Sequence, residues 1–146
     1  MKIYTIGYTK KSAEEFFGLL EKHGIERVLD VRLRNTSQLA GFSKKQDLEY
    51  FLNRLLGVEY DHLEYLAPTA EMRQAYQDSG KDWELYVKEF HDLLEERKVL
   101  ETLHRDFFAE KRCCLLCSEP TPDLCHRRLV AEYLQKSWPD VDVVHL

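Results

Sequence analysis

No run in the 146 residues approaches the roughly 20 apolar positions of a membrane-spanning helix, and the opening MKIYTIGYTKKSAEE has no apolar segment of the secretory kind. These absences weigh against a membrane role and lead to the expectation of a cytoplasmic protein. Positive charge is also scarce. Lys and Arg number 21 against 26 Asp and Glu, a net charge of −5. That balance disfavours broad attraction to nucleic acid or anionic membranes, although a local basic patch is compatible with it. Six glycines and four prolines leave no repeat, linker or low-complexity segment. Cysteine is sparse but concentrated, at 113, 114, 117 and 125. In a cytoplasmic chain such a cluster points to free thiols, metal ligands or a catalytic group rather than a disulfide framework.

What is present has the composition of a globular domain, 44% hydrophobic and 12% aromatic, long enough to bury a core as one domain spanning 1–146. KIYTI (2–6), RVLDV (27–31), VEYDHL (58–63), CCLLC (113–117) and VDVVHL (141–146) read as strands. Ser12 and Glu15 form a capping box ahead of Phe16, Phe17, Leu19 and Leu20, closed by Gly24. Ser43 and Gln46 suggest a second box, opening a helix with Leu48, Phe51, Leu52, Leu55 and Leu56 that ends at Gly57. Residues 69–79 and 82–110 are helical in pattern, the second stretch breaking near Lys98. A last helix runs from Cys125 to Lys136. Strands alternating with helices imply parallel pairing through crossovers, hence an α/β three-layer sandwich with a mostly parallel sheet. Ligands of such sheets bind beyond the carboxyl ends of the strands. That rule selects GYT (7–9), DVRLRN (30–35), SEPTPD (118–123) and CHRR (125–128).

Cys125 falls at the start of the last helix, where free amides and the helix dipole favour a thiolate or a bound anion. His126, Arg127 and Arg128 add positive charge, so Cys125 is the candidate nucleophile. The bland alternative is a cysteine packed under the helix start. Glu119, just beyond CCLLC, can act as acid–base group, hold a ribose hydroxyl, or pair with an arginine. His126 adjoins Cys125 on a helix, so its ring should point about 100° away from that sulfur. Glu119 and Asp30 are therefore the better expected partners. Asp30 and Arg32 share one strand face and can pair, and Arg34 extends a polar loop able to touch a ligand. Gly7, Tyr8 and Thr9 offer a turn, a ring and a hydroxyl.

Cys114 and Cys117 have the spacing of a zinc knuckle, but residues three apart on a strand face opposite ways. Cys113 and Cys114 read instead as core. A mixed metal set of Cys117, Glu119, Cys125 and His126 stays open. No other cofactor is expected.

YTIGYT (4–9), LDVRLRNTSQLAGF (29–42), LAPT (66–69) and LLCSEPTPDLCHRR (115–128) together make the chain resemble the domain-of-unknown-function 488 family, nearly end to end. The resemblance implies a Rossmann-like α/β domain. It also implies a site of Gly7, Thr9, Asp30, Arg32, Cys117, Glu119, Cys125, His126 and Arg127, without implying a reaction. LAPT stands where many members carry Leu-Gly-Gly, which marks a subgroup, and Tyr8 stands where many carry histidine.

Three functions follow. In the first, Cys125 is the nucleophile of an enzyme, Glu119, Asp30 or His126 moves protons, and Arg32 or Arg127 binds an anionic small molecule or nucleotide. In the second, the same crevice binds a nucleotide or phosphorylated metabolite without chemistry, with Gly7, Tyr8, Thr9 and Arg128 as further contacts. The third is metal-dependent. Nucleic acid, stacked on Tyr4, Tyr8 or Phe42, is a less favoured ligand given the net charge.

Overall fold

A computed structural model describes residues 1–146. Its centre is a sheet of five parallel strands: β1 (Lys2–Gly7), β2 (Arg27–Asp30), β3 (Glu59–His62), β4 (Cys113–Cys117) and β5 (Asp142–His145). The spatial order is β3-β2-β4-β1-β5. β4 is thus central, with Cys117 opposite Gly7 on one side and Leu116 opposite Asp30 on the other. These two pairings bring the carboxyl ends of β1, β2 and β4 together. No helix is long and apolar enough to cross a membrane.

Seven α-helices cover the sheet. α1 (Ala13–Lys22) and α2 (Lys45–Phe51) lie on one face, where Phe16, Leu20, Leu48 and Leu52 pack on Tyr4, Ile6, Val28, Cys114 and Leu116. On the other face are α3 (Ala70–Asp78), α4 (Trp83–Glu96), α5 (Val99–Thr102), α6 (Arg105–Glu110) and α7 (His126–Ser137). There Tyr86, Phe90, Leu94, Leu129 and Leu134 join Ile3, Leu29, Cys113, Leu115 and Cys117. The alternation along β4 therefore splits its cysteines. Cys113 and Cys117 face α4 and α7, Cys114 faces α1, and the apparent knuckle pair diverges across the sheet. The result is the three-layer α/β sandwich that the strand–helix alternation predicts.

Local sequence accounts for most element ends. Ser12 caps α1 by accepting the Glu15 N–H, which contributes about 1 kcal/mol. α2 continues through one π-turn, Leu52–Leu56, and stops where Gly57 adopts φ +65°. Lys98, at φ +52°, interrupts the pattern of 82–110 and separates α4 from α5.

The second capping box is a correction. Lys44, not Ser43, precedes α2, and no side chain caps it. The Ser43 hydroxyl instead donates to the Ala40 carbonyl and accepts from Arg32. A buried guanidinium with donors to satisfy outweighs one helix cap.

Candidate active site

A cleft of about 160 Å³ opens beyond the carboxyl ends of β2 and β4. Its floor is Cys117, the last residue of β4, with Ser118, Cys125 and His126. One wall is Arg32, Leu33 and Arg34 after β2, and the other is Arg73, Tyr76, Trp83 and Tyr86 from α3 and α4.

Cys125 is the N-cap of α7, in extended conformation rather than within the first turn. This is why its neighbour does not turn away. The sulfurs of Cys117 and Cys125 and a ring nitrogen of His126 all lie within 4.8 Å of one another. The expected divergence of His126 from Cys125 assumed that both were helical, and an N-cap is not. The His126 Nε2–H donates to the Val31 carbonyl at 2.6 Å, which fixes the tautomer and leaves Nδ1 bare, 3.5 Å from the Cys117 sulfur. Burial lowers the His126 pKa, with Arg73 and Arg127 adding to the shift, so the ring is neutral at pH 7.

The two thiols titrate as a pair. A hydrogen bond from Cys125 pulls Cys117 below the ordinary thiol range despite burial, helped by the Ser118 N–H and by Arg127. The same bond, with burial, keeps the proton on Cys125 and raises it. Cys113 and Cys114 are raised by burial, to about 11 in the case of Cys113, and are core.

Arg127 is fully buried beneath this floor. Its Nη1 donates to the Glu119 carbonyl at 2.7 Å and to the Cys125 sulfur at 3.4 Å, and its Nε to the Thr5 hydroxyl at 3.3 Å. Its Nη2 has no partner, and no carboxylate pairs with it. Gly7 makes room for this arrangement, because a Cβ there would lie 1.6 Å from the Glu119 oxygen and 3.0 Å from Nη1. The Arg127 guanidinium therefore lies under the site rather than on the cleft wall.

Asp30 and Arg32 form a bidentate buried pair, with Nε to Oδ1 at 2.9 Å and Nη2 to Oδ2 at 2.8 Å. Tyr60 donates to Oδ2 at 2.5 Å and Asn35 at 3.1 Å. Burial works to raise the Asp30 pKa, but these donors outweigh it and the carboxyl sits below its usual range. With both oxygens occupied, Asp30 orients Arg32 and holds its charge. It is not placed to exchange protons with the thiols.

The other sequence candidates are spread around this centre. Glu119 lines the cleft with an exposed carboxylate that makes no ion pair, and it lies outside the Cys117–Cys125–His126 cluster. The Thr9 hydroxyl is committed to the Ser118 carbonyl at 2.6 Å, and the Tyr8 ring lies 5.3 Å from the Arg32 guanidinium. Arg128 pairs with Glu132 and rests over Trp83. Tyr4 is buried and so not open to stack on a base, while Phe42 is half-buried against Phe16 and Phe17. Sequence reasoning missed Arg73, Tyr76, Trp83 and Tyr86. Their only signal was a helical pattern, and nothing in it says which sheet end the helices overhang.

A thiol pair and an imidazole thus meet beyond the strand ends of a parallel α/β sandwich. Residues 12–134 match the family described as Domain of unknown function DUF488, and the chain belongs to that family. No curated protein and no solved structure matches it.

Proposed function

We propose that the protein is a thiol-dependent enzyme acting on a small anionic substrate, with Cys117 rather than Cys125 as the attacking thiolate. The observation that carries this reading is the fully buried Arg127, which lacks any carboxylate partner and lies beneath the thiol pair. Its Nη1 donates to the Cys125 sulfur at 3.4 Å, and its charge favours the thiolate of Cys117, whose sulfur lies within 4.8 Å of that of Cys125. An uncompensated buried cation costs several kcal/mol, and a thiolate alongside offsets it. His126 Nδ1 takes the Cys117 proton, as the base of a Cys–His pair does. Cys125 and the Ser118 N–H then hold the thiolate. Arg34 and Arg73 face the cleft without ion pairs and supply the attraction for an anion. The cleft sets these arginines beside the Tyr76, Trp83 and Tyr86 rings, which suits a small anionic molecule. Glu119 is a second proton carrier at the rim. Noncatalytic binding of a phosphorylated metabolite is the alternative that the same arginines support.

The cluster also supports a metal reading, since Cys117, Cys125 and a bare His126 Nδ1 are a three-ligand set for a divalent ion. Charge separates the two readings. A divalent cation with two thiolates is neutral and leaves Arg127 uncompensated, whereas one thiolate balances it. The test is the pH profile of iodoacetamide labelling at each cysteine, with metal content measured on the same sample. The reading requires Cys117 to label well below the ordinary thiol pKa of roughly 8.5. A protected Cys117 with one bound metal per chain establishes the ligand set instead.

A further inference from the structure

We infer that Cys117 and Cys125 act as attacking and resolving thiols toward small anionic disulfides, closing into a Cys117–Cys125 disulfide. The inference rests on Cys117 as the nucleophile proposed above and names its substrate class.

Holding the Cys117 thiolate needs only a hydrogen-bond donor, which a hydroxyl supplies as well, whereas a second thiol within 4.8 Å adds the capacity to form a disulfide. Transfer of an acyl or alkyl group from one sulfur to the other gains nothing. A mixed disulfide differs, because a neighbouring thiol displaces it directly. Both cysteines are free, so the reduced state is the one described. Bond formation needs the sulfurs to close to about 2.05 Å. Ser118 is tied to the turn after β1 by two bonds into its carbonyl, from the Thr9 N–H at 3.1 Å and the Thr9 hydroxyl at 2.6 Å. Cys117 is therefore the fixed partner. Cys125 is the adjustable one, because it stands outside the helix at the end of an irregular loop, 118–125.

The steps balance. The Cys117 thiolate attacks one sulfur of the substrate, its S–S bond breaks, and one substrate thiolate leaves, taking the proton that His126 Nδ1 had accepted from Cys117. The Cys125 thiol then gives its proton to His126 Nδ1 or water and attacks the Cys117 sulfur. The protein disulfide forms and the second substrate thiolate leaves. Two protein thiols are oxidised and one substrate disulfide is reduced. The charge preference follows from Arg34 and Arg73, the unpaired cations of the cleft wall.

The test uses two disulfides of matched length, the dianion dithiodipropionate and the dication cystamine, on the reduced protein. Dithiodipropionate should consume two of the four thiols, with peptide mapping linking Cys117 to Cys125. Cystamine should react about tenfold more slowly at low salt, and the gap should close as salt screens the arginines. The double variant Arg34→Ala, Arg73→Ala should lose the preference, and Cys125→Ser should stop at a mixed disulfide on Cys117. The wild-type map stands even if Cys125→Ser fails to fold. A mixed disulfide persisting in the wild type overturns the resolving role, and equal rates for the two probes overturn the anionic class. Ready alkylation of Cys117 by iodoacetamide with neither disulfide reacting overturns this inference alone. A Cys117 inert to all three reagents overturns the nucleophile reading as well.

Discussion

The sulfur of Cys117 lies 3.5 Å from Nδ1 of His126, whose other nitrogen is engaged by the Val31 carbonyl at 2.6 Å. One strand end and one helix start, nine positions apart in sequence, thus meet through a side chain whose tautomer is set by a third element, the end of β2. Replacing His126 with Gln should shift the Cys117 labelling profile to higher pH by about one unit, a tenfold slower reaction at fixed neutral pH. Timed labelling read by mass spectrometry checks this, and an unchanged profile removes His126 from the thiol's activation.

Arg127→Met separates charge from packing at the same site. Loss of the guanidinium should raise the labelling profile of Cys117 by about one pH unit. Stability should fall by no more than about 1 kcal/mol, because the Thr5 hydroxyl, the Glu119 carbonyl and the Cys125 sulfur lose a donor while an uncompensated buried charge disappears. Urea unfolding alongside the labelling curve reads both. A large stability loss with an unmoved profile marks Arg127 as structural only.

Asp30→Asn should destabilise the fold by about 3–5 kcal/mol, since it leaves the buried Arg32 charge without its partner. The urea midpoint is the readout. A loss under 1 kcal/mol means that the Ser43 carbonyl, 2.7 Å from Arg32 Nη2, is enough to hold the arginine.

Acidification should weaken the protein through histidine as well as carboxylates. Burial lowers the pKa values of His126 and His145 in the folded state, with Arg127 contributing to each. The unfolded chain therefore binds protons first. Stability from these rings is fully present above the unfolded value of roughly 6.5 and is lost as pH falls through the folded values. Urea midpoints should decline from pH 7.5 to pH 5.5, and less steeply in His126→Gln. A flat wild-type profile in that window contradicts the buried, neutral assignment.

Gly7→Ala tests the close approach between β1 and the loop after β4. With backbone oxygen 1.6 Å from the new methyl position, the loop must shift or the strand must open. A cost of about 3 kcal/mol, the upper end for overpacking, is expected by thermal or chemical unfolding. Labelling of Cys125 should rise in the same variant as the loop lifts.

The five strands were readable because β-rich runs bounded by capping and turn residues carry a local signal. So was the break at Lys98, which the structure places at a left-handed residue. CCLLC even disclosed the split of its cysteines across two faces, through the alternation of a strand. The site was legible as a place but not as a division of labour. Cys125 and Arg127 drew notice because helix-start chemistry is local. The surroundings of Cys117 were not legible, because residues 125, 126 and 127 fold back towards it from the start of α7. The environment of Asp30 depends on Tyr60 and Asn35, and the cleft wall depends on where α3 and α4 come to rest. Both are tertiary facts. Ser43–Gln46 shows the converse, a local motif overruled by the needs of a buried arginine.

The strand order has a consequence for how the molecule is made. β1 lies between β4 and β5, and every residue of the thiol cluster follows residue 112. During synthesis the first strand waits, with both edges bare, until four-fifths of the chain has been made. Such long-range closure slows folding and exposes the nascent edge to misassociation. It also delays the cluster: Cys117, Cys125 and His126 leave the ribosome apart and meet only once α7 has docked.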